Sequence, residues 1–233
     1  MPTPPDAAAM VAESLSRIER LRHPETNAHE AMVGHLAERL ALTLGLEPGH
    51  AAAIRQAAVL HDIGKVTIPD AILYKPSGLT AAEMAVVRGH CRFGHDVLRN
   101  LGDPVLDLAA RLALEHHEAW DGSGYPDRLA GEAIAIESRI VHLCDVYEAL
   151  RSVRPYKGVV GHAEARSILL HGDGRTRPEQ FDPAVLAAFM DCEESFSAVY
   201  QRLTQTAASD SLSLSEDSRG SILVSPMEIA TAD

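Results

Sequence analysis

Twelve histidines stand in this 233-residue sequence, and most lie beside carboxylates or beside one another. His61-Asp62 and His116-His117 are adjacent pairs, while Glu25 and His29 are four residues apart, so that on one helix both would face the same centre. His61-Asp62 closes an apolar helical stretch, where an imidazole and a carboxylate are costly to bury without a partner. A metal ion is such a partner. His90 and Asp145 add two more donors in apolar or small-residue surroundings, with Ile140, Val141, Leu143 and Val146 flanking Asp145. Taken singly, each of these residues is more often a cap, a surface group or a satisfied core residue; their number and adjacency argue for a site.

Together the set supplies five imidazoles (His29, His61, His90, His116, His117) and three carboxylates (Glu25, Asp62, Asp145), with no thiolate. Such donors suit iron or manganese and also accept zinc, cobalt or nickel. Eight donors exceed what one ion needs. Two ions roughly 3.5–4 Å apart, bridged by a carboxylate, activate water and clamp both oxygens of an in-line phosphoryl displacement. Asp62, with two oxygens, is the candidate bridge. Lys65 follows Asp62 by three residues and His61 by four, which places an ammonium on the same side, where it could hold a substrate phosphate or leaving oxygen. Asp62 and Lys65 are therefore the candidate catalytic pair.

The elements that must position these residues read as helices. Apolar residues make up 46% of the chain and aromatics only 4%, and the abundance of Ala and Leu favours helices packed through small aliphatic side chains, an all-α fold. Apolar spacing predicts helices over 6–22, 26–44, 49–63, 80–88, 90–101, 104–117, 136–151, 162–170 and 183–203. Gly45 is a candidate C-cap and Thr80 with Glu83 a capping box. Two prolines and a glycine make 68–78 a connector with one short helical turn, and Asp121-Gly122-Ser123-Gly124-Tyr125-Pro126 must be a loop. The expected organisation is an N-terminal extension and helix over 1–23, a catalytic domain over 24–203, and a Ser/Thr/Ala/Asp-rich tail over 204–233, read as disordered or weakly docked.

Composition excludes several classes of function. With 21 Lys and Arg against 33 Asp and Glu, the net charge of −12 opposes sequence-independent binding to nucleic acid polymers. Cys91, Cys144 and Cys192 show no paired spacing, so neither a disulfide framework nor a thiolate zinc site is expected, and a reducing cytoplasm fits. No stretch reaches the length of an apolar span, and Met1 to Ala9 lacks the layout of a signal peptide, so no membrane association is expected. No GxxxxGKS or GxGxxG string supports nucleotide triphosphate or NAD chemistry.

The string His61-Asp62-Ile63-Gly64-Lys65 resembles the signature of the HD phosphohydrolase superfamily, and His116-His117-Glu118-Ala119-Trp120-Asp121-Gly122-Ser123-Gly124-Tyr125-Pro126 resembles the defining motif of its HD-GYP subfamily. The second string is highly specific. The resemblance covers about 24–189 and includes Lys75-Pro76, Leu79-Thr80, His90, Arg154-Pro155-Tyr156-Lys157 and Phe181-Asp182-Pro183. It implies a helical bundle around a central metal site that opens cyclic di-GMP to linear pGpG or, after a second cut, GMP. The family's ligands fall on His29, His61, Asp62, His90, His116, His117 and Asp145. Glu25 falls where a further carboxylate accompanies a trinuclear site, associated with hydrolysis through to GMP. By the same resemblance Lys65, Tyr125, Arg154 and Lys157 contact the dinucleotide; an Arg fork and a Lys point charge suit phosphate. Glu148, Arg151, Val153 and Ala135 depart from the family's usual Asp, Thr, Asp and Pro, which leaves open the choice among cyclic dinucleotides.

Many family members carry an N-terminal receiver or sensor domain, and only about 24 residues precede the motif region, so a stand-alone catalytic unit or a fragment is expected. The N-terminal helix is expected to pack on its own core, with pairing to a second subunit or a signalling protein as the alternative. Three readings of function follow: a cyclic-dinucleotide phosphodiesterase, a sensor or scaffold that binds the dinucleotide without rapid turnover, and a diiron oxygenase or nucleotide phosphohydrolase on the same metals. The intact ligand set favours the first over the second, and the Gly124-Tyr125-Pro126 loop with Arg154 and Lys157 favours it over the third.

Overall fold

The computed structural model describes residues 7–22, 26–152 and 160–217, and among them every regular element is helical. The chain runs through α1 (Ala7–Arg22), α2 (Thr26–Thr43), α3 (Pro48–Ala58), a 3₁₀ turn (Ile63–Thr67), α4 (Asp70–Leu73), α5 (Ala81–Arg88), α6 (His90–Leu98) and α7 (Pro104–Glu115). It continues through α8 (Ile136–Arg151), α9 (His162–His171) and α10 (Pro183–Asp217), with further 3₁₀ turns at Gly131–Ala133 and Pro178–Gln180. The all-α expectation holds.

Helix α2 is the axis of the bundle and packs against α3, α8 and α10, while α7 packs against α3 and α6. Its Met32, Val33, Leu36, Ala37, Leu40 and Ala41 are all buried, a stripe that recurs every three or four residues. Alanines at 37, 41, 51, 57, 58, 109, 110 and 113 are buried too, so the helices approach closely through small side chains. Tyr147 of α8 with Phe189 and Phe196 of α10 fills the far end, Phe196 meeting both other rings edge to face and Tyr147 tilted on Phe189, at centroid separations of 5.1–5.8 Å. Helix α1 packs on the core through Ala12 and Leu15, as the plainer reading had it, and leaves Met10, Val11, Ile18 and Leu21 facing solvent.

Local signals set several helix ends. Gly45 takes the left-handed conformation (φ 83°) after α2; its N–H bonds Leu42 O at 3.1 Å and the Leu46 N–H bonds Ala41 O at 3.0 Å, the paired bonds of a Schellman stop. Thr80 and Glu83 form the expected capping box before α5. Asp103 caps α7 by accepting from Val105 and Leu106 N–H at 2.8 and 3.0 Å, with Pro104 in the first turn.

Three boundaries differ from the sequence reading by three residues or more. Helix α3 stops at Ala58 rather than at Ile63, because the backbone tightens into i→i−3 bonds, from Leu60 to Ala57 and from His61 to Ala58. Helix α6 stops at Leu98 rather than 101, where Asn100 turns left-handed at φ 61°. Helix α10 runs on to Asp217, past the expected end at Leu203, and the rest of the tail lies outside the described residues. The three cysteines are buried and free. No helix among the described residues is long and apolar enough to cross a membrane.

Candidate metal centre

Five segments converge on one buried point: α2 brings His29, the turn after α3 brings His61 and Asp62, the first residue of α6 is His90, the end of α7 presents His116 and His117, and α8 brings Asp145. Two close approaches of backbone make this possible. A methyl on Gly64 would overlap the His90 carbonyl oxygen and lie 2.7 Å from its carbon and 2.8 Å from Gly94 N, so only glycine lets the 3₁₀ turn rest against α6. Gly124 does the same for the loop after α7, where a methyl would meet His117 O at 2.5 Å and Glu118 Cα at 2.6 Å.

Asp62 sits between two groups of imidazoles. Its Oδ1 is 3.3 Å from His90 Nε2 and 3.6 Å from His116 Nε2, while its Oδ2 is 3.4 Å from His61 Nε2 and 4.0 Å from His29 Nε2. The donor atoms of Asp62, His90, His116 and His117 form one cluster within 4.8 Å, and those of His29, His61 and Asp62 another. Asp145 Oδ1 lies 3.3 Å from His29 Nε2 and so borders the second cluster. Lys65 Nζ donates to Asp62 Oδ2, on the side the spacing indicated.

The tautomers are set from behind. His61 Nδ1–H donates to Ala58 O at 2.7 Å, His90 Nδ1–H to Val87 O at 2.6 Å and His116 Nδ1–H to Leu112 O at 3.0 Å, each turning an Nε2 lone pair inward. The His29 Nδ1 is held by Glu148 Oε2, and Glu148 also accepts from the Ser152 hydroxyl. This carboxylate behind an inward-facing imidazole matches the way proteins orient histidine ligands to metals.

The donors fit cations. His61 Nε2 and Asp62 Oδ1 are fully buried and make no hydrogen bond, which is costly for neutral packing and expected of ligand atoms. Donor separations of 3.3–3.6 Å around Asp62 are close to the roughly 3–3.5 Å edges of a coordination shell with bonds near 2.1 Å. The charges agree. Burial opposes ionisation of Asp62, but Lys65 and the neighbouring histidines outweigh it and hold the carboxyl well below the usual range. Burial likewise opposes ionisation of Asp145, and the His29 bond overrides it. Burial first, and neighbouring imidazoles after it, push His61 down to about 4 and His117 well below its ordinary value. His29 and His90 are pushed up to about 10 despite burial, the former by Asp145 and Glu148, the latter chiefly by Asp62. Two carboxylates thus stay anionic in a buried site where positive charge is the compensation.

Tyr125 forms the wall of the site. Its N–H bonds His117 O at 3.1 Å, its ring lies 4.7 Å from the His117 ring, and burial raises the phenol so that it stays a donor. The loop that carries it starts with Asp121, which accepts the Ser123 N–H at 2.9 Å and the Arg177 guanidinium at 2.7 Å. It ends on the buried Glu118 carboxylate, which accepts the N–H groups of Asp127 and Leu129 at 2.6 and 2.9 Å.

Of the residues singled out by sequence, His29, His61, Asp62, Lys65, His90, His116, His117, Tyr125 and Asp145 are thus brought to one place. Glu25, Arg154 and Lys157 lie outside the described residues. Glu148 was noted only as a departure from a pattern; its spacing of three after Asp145 on one helix was the available signal. Glu118, inside the HD-GYP-like string but given no role there, proves to hold the loop.

A family model described as HD domain matches residues 13–185. A cyclic di-GMP phosphodiesterase of Vibrio cholerae is 44% identical over 200 residues, spanning 80% of this chain and 40% of the relative. A 3′3′-cGAMP-specific phosphodiesterase of the same organism is 38% identical over 186 residues, spanning 80% of this chain and 35% of the relative. The chain thus spans less than half the length of these relatives. Among solved structures, Bd1817, an HDG"Y"P protein from Bdellovibrio bacteriovorus, aligns with a TM-score of 0.55 at 18% identity, covering 71% of this chain and 51% of that one, which supports the fold.

Proposed function

We propose, for a chain that belongs to the HD domain family and carries the signature of its HD-GYP branch, the hydrolysis of cyclic di-GMP to pGpG, GMP or both, on two or three iron or manganese ions. The observation that carries this reading is Asp62, whose two oxygens each face a separate group of imidazoles. His29, His61 and Asp145 would hold one ion and His90, His116 and His117 another, with Asp62 serving both; Glu25 is the candidate carboxylate for a third. Ions so held supply Lewis acidity and an activated water to a phosphodiester.

The chain's own residues do the remainder. The backbone carbonyls behind His61, His90 and His116 keep their Nε2 atoms aimed inward before any substrate arrives, so little reorganisation is needed during reaction. Lys65 puts an ammonium beside Asp62, where it offsets charge building on a phosphate oxygen. The Tyr125 hydroxyl, kept protonated by burial, offers a hydrogen bond at the rim. Arg154 and Lys157 are assigned to the dinucleotide phosphates as fork and point charge. Similarity to one enzyme named for cyclic di-GMP and another named for 3′3′-cGAMP supports a cyclic dinucleotide as the substrate class. We assign the reaction to the cytoplasm, where free buried thiols stay reduced.

The test is to load the protein with Fe(II) or Mn(II), incubate it with cyclic di-GMP, and resolve pGpG and GMP by chromatography. Turnover by the wild type and none by Asp62→Ala is the expected result. Full occupancy without turnover, or an Asp62→Ala variant as active as the wild type, would sink the proposal.

A further inference from the structure

A cavity is lined in part by Tyr125, the residue whose ring lies 4.7 Å from that of His117. It has a volume of about 640 Å³ and is lined by Arg88, Arg92, Arg128, Gly89, Gly124 and Tyr125 among others. Three arginines around one opening are unexpected in a chain of net charge −12; contacts fix two of the side chains and the backbone of the third. The Arg88 guanidinium lies over the Tyr125 ring at 4.8 Å, on a tyrosine whose ring also stacks with the His117 ring. A cation over the ring face is attracted to it and still has N–H groups to offer an acceptor. Arg92 is paired with Asp127, which ties it to the same loop. Arg128 sits in the left-handed region at φ 56°, with Glu118 gripping the N–H groups on either side of it. A non-glycine residue held in that conformation by a buried carboxylate is a feature that clusters at ligand sites.

We infer that this arginine-lined cavity receives the half of the cyclic dinucleotide remote from the bond being cut, pairing its phosphodiester with Arg88 and Arg128. The inference rests on the cyclic-dinucleotide reading above and extends it to residues outside the HD and Gly-Tyr-Pro strings. A volume of about 640 Å³ is in the range of small-molecule sites and exceeds what a bare phosphate fills. The ligand has two phosphodiesters in one ring, so with one at the imidazoles the other must lie nearby. The Arg92–Asp127 pair is internally balanced, which leaves Arg88 and Arg128 as the cations this lining offers, beside the Arg154 and Lys157 already assigned to the phosphates.

Arg88 and Arg128 are exposed, so replacing them leaves the fold intact, and an unchanged thermal midpoint checks this. In the metal-loaded full chain, kcat/KM is measured for cyclic di-GMP and for bis(p-nitrophenyl) phosphate, a diester with no second nucleotide. The ratio of the two is expected to fall about tenfold or more in the Arg88→Gln/Arg128→Gln variant, the effect of losing one charge-assisted hydrogen bond, with KM carrying the change. An unchanged ratio, or a parallel fall for both diesters, overturns the inference. A wild type that cleaves the small diester but not cyclic di-GMP defeats the functional reading instead. Equilibrium binding of GMP then decides the cavity: salt-sensitive binding weakened about tenfold in the variant upholds it, and binding that is absent or equal in both proteins overturns it.

Discussion

Replacing Gly64 by alanine tests whether the candidate metal centre depends on one backbone contact. The added methyl would overlap the His90 carbonyl oxygen and place two more backbone atoms inside 3.0 Å. All three are backbone, so no side chain can swing away; either the 3₁₀ turn or the start of α6 must retreat. Overpacking of this kind costs typically 1–3 kcal/mol, and the rigidity of both partners puts Gly64→Ala at about 3 kcal/mol. For a chain of this size that is a fall of roughly 6–12 °C in melting temperature. The displacement also separates Asp62 Oδ1 from His90 Nε2, now 3.3 Å apart, so the variant is expected to bind less metal per chain at a given free concentration. Calorimetry and metal analysis of the purified protein measure the two effects together. Gly49→Ala is the matched control, because a methyl there meets nothing within 4 Å and should raise stability by up to about 0.5–1 kcal/mol. Wild-type melting and wild-type metal content in Gly64→Ala would refute the argument that this contact assembles the site.

Two further outcomes are expected. Glu148→Gln removes the anion behind His29 Nδ1 and should weaken metal binding about 10- to 100-fold with little change in helical content, as read by metal titration and circular dichroism; an unaltered affinity would mean that Glu148 does not orient the imidazole. Glu118→Ala strips the acceptor from the N–H groups of Asp127 and Leu129 and should cost about 1–3 kcal/mol in denaturant unfolding, with faster proteolysis of the 121–129 loop; a cleavage rate equal to that of the wild type would show that the loop is held by other means.

What is legible in the sequence depends on how local its cause is. Gly45 as a helix stop and Thr80 with Glu83 as a start are decided within a few residues, and both appear where expected. The histidines and carboxylates announce themselves by type and adjacency. The backbone beneath His61 and Asp62 does not: apolar spacing alone carries α3 through Ile63, whereas a contact with α6, far along the chain, goes with the tighter turn. Glu148 has meaning only once α2 and α8 lie side by side, which no local pattern states. Arg88, Arg92 and Arg128 read as scattered surface cations until the loop after α7 folds back over α5 and α6.

The bond between His29 and Glu148 joins residues 119 positions apart, more than half of the chain. Closing so long a loop is entropically expensive, but the cost grows only with the logarithm of loop length, by about 0.6 kcal/mol for each doubling. A cation held by the candidate centre would therefore latch α2 to α8, whatever reaction it serves. The centre's donors come together only when α8 has docked on α2, so a cation captured there would stabilise the assembled site over every intermediate that lacks that contact.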